Sequence, residues 1–133
     1  MRAGRRFAAA AAATLVAMFP LIAAGGNPVR GEALYERCAA CHSVDRNRTG
    51  PKHCGLFGRR AGSLPDFEYS PAMRASGFVW NERTLDRFLA APTKVVPGTS
   101  MGYAGIDDPR ERADLIAWLR GATQGSQYCG STR

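Results

Sequence analysis

The order of apolar and polar positions divides the chain into one long apolar run and several short amphipathic stretches. The run covers residues 7–24, is half alanine, and has Pro20 as its break. Beyond it, residues 28–40 read as a helix, with Pro28 in the first turn and Ala33, Leu34 and Tyr35 as apolar contacts. Residues 81–91 form a clearer one: Asn81 is placed to cap it, and Leu85, Phe88 and Leu89 share a face. The strongest runs over 108–122. Asp107 or Asp108 caps it, Pro109 fits the first turn, Ala113, Leu115, Ile116, Trp118 and Leu119 make the apolar face, and Gly121 stands near its end. The stretches 43–62, 64–76 and 92–106 are punctuated by Gly and Pro and read as loops, with room for a short helix at 70–75. Residues 125–133 read as a polar tail. No segment alternates with the period of a strand, so the pattern predicts one small all-α domain with long loops. Loops of that length are uncommon in a compact domain unless something organises them, and a large buried cofactor would do so.

Flanking residues change how the apolar run is read. Arg2, Arg5 and Arg6 precede it and Ala23, Ala24, Gly25 and Gly26 close it, the layout of a cleavable secretory signal. An uncut membrane anchor is the alternative. Eighteen residues sit at the lower limit for a span, roughly 17–25, and alanine is weakly apolar for a permanent one. The division that follows is a signal over 1–25, a domain over 26–124 and a tail over 125–133, with the mature protein exported to the periplasm. The whole chain carries 18 basic and 11 acidic side chains; losing Arg2, Arg5 and Arg6 leaves 15 against 11, a charge of +4. That mild excess suits docking to acidic protein surfaces and lacks the basic stripe of a nucleic-acid binder.

Candidate chemistry centres on Cys38-Ala39-Ala40-Cys41-His42. Cysteines three apart on a helical turn point both sulfurs the same way. Such a pair can bond two vinyl groups on one edge of a haem as thioethers, and His42 then projects toward the iron as an axial ligand. Cys-x-x-Cys-His is the attachment signature of a c-type haem, and export fits because bacteria make that attachment outside the cytoplasm. Other readings compete. A thioredoxin-like dithiol needs a βαβ context, which this chain lacks. A structural zinc site needs four ligands; Cys38, Cys41, Cys54 and His42 or His53 can be arranged on paper, but there is no second close pair. A plain Cys38–Cys41 disulfide leaves His42 without a role.

An iron that transfers electrons without binding substrate wants a second axial ligand. Beyond the signal the thioethers are Met73 and Met101. Met101 lies in a loop shaped by Pro97, Gly98 and Gly102, 59 residues after His42, and that loop can close over the opposite haem face. On local context alone Met101, Met73 and, as a minor competitor, His53 all stay open, and gap-filling in the core is the ordinary use of a methionine. Histidine–methionine ligation raises the reduction potential.

These motifs, taken in order, resemble the class I cytochromes c of the small soluble type, mitochondrial and bacterial. The resemblance covers residues 27–123. It is carried by Gly31-Glu32-Ala33-Leu34-Tyr35, the Cys38–His42 motif, Thr49-Gly50-Pro51, Gly55-Leu56-Phe57-Gly58-Arg59-Arg60, Tyr69-Ser70, Trp80, Pro97-Gly98-Thr99-Ser100-Met101, Gly105-Ile106 and the segment from Glu111 to Leu119. It implies one covalently bound haem c with His42 and Met101 on the iron. It implies a Pro51 carbonyl bonded to the His42 ring, and Arg59, Tyr69 and Trp80 at one haem propionate with Thr99 near the other. It also implies that Tyr103 packs behind the Met101 loop, and that Gly31 and Tyr35 cross Leu115 and Trp118. The chain departs from the family pattern at His53-Cys54, and Ser100 and Thr93 stand where lysines are common. Lys94 remains, so Arg37, Arg48 or Arg110 would carry part of a thinner basic docking ring.

The function implied is a monomeric, non-enzymatic carrier of single electrons. Its partners would be membrane complexes (a cytochrome bc complex, a terminal oxidase or a photosynthetic reaction centre) or a periplasmic dehydrogenase. The alternative is a ligand-binding or peroxidatic haem protein whose methionine is displaced. Cys54 and Cys129 are surplus to haem attachment. In an oxidising compartment surplus thiols pair, so a disulfide between them is expected, with two free thiols as the alternative.

Overall fold

The computed structural model describes residues 25–130. The signal expected over 1–25 lies outside them apart from Gly25, as do residues 131–133 of the expected tail. Among the described residues no helix is long and apolar enough to cross a membrane.

Helix α1 spans Pro28–Tyr35, with the Asn27 side chain accepting from the amides of Val29 and Arg30. It stops five residues before the expected end at 40. The regular ladder breaks there: the amides of Arg37, Cys38 and Cys41 each bond the carbonyl three residues back while those of Ala39 and His42 reach four back, so the cysteine motif sits on mixed, partly tightened turns rather than on a continuous α-helix. Helix α2 is Pro71–Ala75, capped by Ser70. Helix α3 is Glu82–Ala90, capped by Asn81, with Leu85, Phe88 and Leu89 buried as the periodicity predicts. Helix α4, Pro92–Val95, falls inside a stretch expected to be loop; four residues are too few to show a period, and Pro92 at its start read as a breaker. Helix α5 spans Pro109–Ala122 and is capped by Asp108. Helix α6, Ser126–Cys129, interrupts the expected polar tail.

The all-α expectation holds: no strand forms among the described residues, only a single antiparallel bridge between Arg60 and Val79. Helix α1 packs across α5, and α3 lies against both α5 and α4. Gly31 makes the first crossing possible, because a Cβ there would overlap the Asp114 carbonyl and come within 2.7 Å of the Trp118 Cβ. Tyr35 stacks on Trp118 with ring centroids 4.5 Å apart.

Asp114 is buried at the same crossing. It accepts from Arg30 Nε at 2.7 Å and from the Asn27 amide, and these bonds hold its carboxyl below the ordinary range. The loops are stitched from outside the helices. The Gly55 amide donates to the Thr123 carbonyl at 2.7 Å and the Ala61 amide to Phe78. Cys54 and Cys129 are joined by a disulfide, with their Cα atoms 5.5 Å apart. The bridge carries the end of α6 to the loop that follows Pro51.

Candidate haem site

The packing leaves one large cleft of about 680 Å³, within the size of small-molecule and cofactor pockets. Its floor is apolar. Helix α3 supplies Leu85, Phe88 and Leu89, helix α5 supplies Leu115 and Leu119, and the loops add Leu56 and Trp80. Around the rim stand Cys38, Cys41 and His42 from the turns after α1, Pro51, Arg59 and Tyr69 from the long loops, and Thr99, Met101 and Tyr103 from the loop after α4. Eight residues singled out as thioether, axial or propionate partners, and Pro51 beside them, therefore share one cleft. Met73 lines it too and is almost fully buried.

His42 has a defined polarity. Its Nδ1 lies 2.8 Å from the Pro51 carbonyl oxygen. A carbonyl can only accept, so Nδ1 carries the proton and donates, and the neutral ring keeps its lone pair on Nε2, free for a metal. Burial lowers the pKa of His42, partly offset by the Pro51 bond. The neighbouring glycine is required: a Cβ at Gly50 would overlap the His42 ring. Arg48, expected only as a docking cation, donates to the carbonyl of Ala39 at 2.5 Å and ties down the motif turn.

Cys38 and Cys41 are not bonded to each other. Burial pushes the Cys38 thiol up to about 11, which keeps it protonated at neutral pH. A protonated thiol is a poor redox nucleophile, which weighs against a dithiol reading. Among the described residues no group of three or more His, Cys, Asp and Glu comes together as a zinc site requires.

The part of the cleft lined by Arg59 suits a carboxylate. Arg59 Nη1 donates to the Cys54 carbonyl at 2.7 Å and Nη2 to the Lys52 carbonyl at 3.1 Å. Its Nε is buried with no partner. An orphaned buried donor on a guanidinium is costly unless an anion meets it. Burial lowers Arg59, while Tyr69 and Asp66 raise it. An apolar floor, a histidine with its lone pair free, two unbridged cysteines and an unmet cationic N–H together fit a haem with its propionates.

His53 also faces the cleft. Its ring stacks on His42, with centroids 4.4 Å apart and planes at 23°, and its Nδ1 is 3.0 Å from the Tyr35 hydroxyl. Burial, with His42 and Arg59 adding to it, holds His53 well below the ordinary histidine value, so the ring is uncharged. The expected docking cations differ in freedom. Arg37 is tied to Glu111 at 2.8 Å, whereas Arg110 and Lys94 are exposed.

Comparison with known proteins agrees with this reading. The family model described as "Cytochrome c" matches residues 28–123. Cytochrome c2 of Rhodomicrobium vannielii is 46% identical over 107 residues, covering 78% of this chain and 84% of that protein. Cytochrome c of Sesamum indicum is 43% identical over 102 residues, covering 74% and 92%. The solved structure of cytochrome cH from Methylobacterium extorquens superposes with a TM-score of 0.70 at 38% identity, covering 71% of this chain and 98% of that one. The chain belongs to the cytochrome c family and is an electron-transfer haem protein with a covalently attached c-type haem and its iron.

Proposed function

We propose that this protein carries single electrons through the bacterial periplasm, with its haem bonded to Cys38 and Cys41 and its iron held by His42 and Met101. The observation that carries the reading is the His42–Pro51 bond of 2.8 Å, which commits Nδ1 and leaves Nε2 for the iron inside a cleft that Met101 also lines. When bound, the haem supplies an iron that alternates between two oxidation states. The chain's own residues do the rest. Pro51 orients the His42 ring and tunes its basicity. Leu85, Phe88, Leu89, Leu115 and Leu119 keep water from the cleft floor. Arg59 Nε, with Tyr69 and Trp80, receives one propionate, and Thr99 lies toward the other. Thr99 also fixes the Met101 loop, its hydroxyl accepting from the Met101 amide at 3.2 Å.

With His42 and Met101 both holding the iron, no position would be left for a substrate, so the protein would act as a carrier and not as an enzyme. Residues 1–25 act as the export signal and are removed. The mature charge of +4 steers transient encounters with acidic patches on membrane redox complexes or a periplasmic dehydrogenase, at rates that fall as salt rises.

The near-infrared methionine–iron charge-transfer band of the oxidised holoprotein tests the ligation. The band is expected at neutral pH, lost in Met101→Ala and kept in Met73→Leu. Its absence from the wild type would overturn the carrier reading in favour of a ligand-binding haem protein.

A further inference from the structure

Neither haem attachment nor axial ligation accounts for His53, yet its ring is among the most firmly held in the cleft. Its amide donates to the Val44 carbonyl at 3.1 Å, and the next amide, of Cys54, donates to the same oxygen at 2.8 Å. Cys54 is bonded to Cys129, and Gly55 is tied to Thr123. The backbone under His53 is thus fixed both to the segment that leaves His42 and to the end of α5. Its side chain is fixed by Tyr35, whose hydroxyl meets Nδ1 at 3.0 Å and whose own ring is stacked on Trp118.

The Pro51 bond sets where Nδ1 of His42 points and the Gly50 backbone lies against the ring, but neither presents a flat surface to the ring plane. A flat ring stacked 4.4 Å away restricts the rotation of that plane. We propose that His53, clamped by the Tyr35 hydroxyl, is a positioning residue that sets the rotation of the His42 ring relative to the haem. The inference rests on His42 being the axial ligand, as proposed above. Tyr35 and His53 then act as one unit, so removing either partner should disturb the same quantity.

The test uses the oxidised holoprotein and the spread of its four haem-methyl proton resonances, which reports the orientation of the axial imidazole plane. Tyr35→Phe removes a hydroxyl and keeps the ring, so the fold is retained. We expect the methyl resonances to move in Tyr35→Phe, to move further in the same sense in His53→Leu, and to move no further in the double variant, since coupled partners are not additive. Tyr128→Phe, which removes a hydroxyl beside Glu32 away from the cleft, should leave them in place. If His53→Leu fails to accumulate, Tyr35→Phe carries the test alone. Lowered stability with unmoved resonances would overturn the inference, because His53 would then only fill space. A wild-type holoprotein without the low-spin signature of histidine-ligated iron would instead overturn the ligation reading, and this inference with it.

Discussion

At position 50 a single methyl group is too large, and the reason is the histidine beside it. A Cβ on Gly50 would overlap the His42 ring, and the Gly50 amide is itself bonded to the Cys41 carbonyl at 2.8 Å, so neither group can move far. Gly50→Ala should therefore cost about 1–3 kcal/mol, the usual penalty for overpacking, and should displace His42 from its bond to Pro51. Gly121 is the control. It lies in α5 with nothing within 4 Å of its added Cβ, so Gly121→Ala should gain about 0.5–1 kcal/mol from reduced backbone freedom. Denaturant titration of the holoprotein reads both, and the prediction fails if the two substitutions shift the midpoint in the same direction. Arg59 makes the complementary point about residues: its two outer nitrogens are spent on carbonyls, and the inner one is left for what enters the cleft.

Among the elements, α3 shows how a local signal reaches the site. The Asn81 side chain accepts from the Thr84 amide at 3.0 Å, and the Thr84 hydroxyl accepts from the Asn81 amide at 2.9 Å. This reciprocal cap starts the helix whose Leu85, Phe88 and Leu89 form part of the cleft floor. Asn81→Ala should cost about 1 kcal/mol and Asn81→Gly only a few tenths; equal losses in thermal melts of the two would count against the cap as the cause. The same helix was legible in the sequence because capping and periodicity both act within four residues, and so was α5. Helices α4 and α6 were not legible, since four residues carry no period. The end of α1 was misplaced because apolar spacing does not distinguish an α-turn from the tighter turns around Cys38. The cleft divides in the same way. The Cys38–His42 motif announces itself by spacing alone, whereas the stack of His53 on His42 and the tie from Arg48 to Ala39 depend on where two long loops travel.

For the molecule as a whole, the helices account for only part of the closure. Helix α1 crosses α5, and α5 is tied to α3 by Arg112–Asp86 at 2.7 Å and by Arg120–Glu82. The segment after Pro51 has no helix of its own and is held by Gly55 to Thr123 and by the disulfide to Cys129. That bridge closes a 75-residue separation which includes α2 to α5, the Met101 loop and much of the cleft wall. Chain entropy assigns such a closure about 4.5 kcal/mol, acting mainly by restricting the unfolded chain. The double variant Cys54→Ser/Cys129→Ser avoids a lone thiol that could bridge two molecules. It should keep its haem absorption spectrum, because Cys38 and Cys41 are untouched, while its denaturation midpoint falls well below that of the wild type. With both proteins first brought to the ferrous state by ascorbate, which leaves disulfides intact, added thiol reductant should move the wild-type midpoint toward that of the variant and leave the variant unaffected. A midpoint equal in variant and wild type would mean that the loop is held without the bridge, by the Gly55 and Cys54 backbone bonds alone.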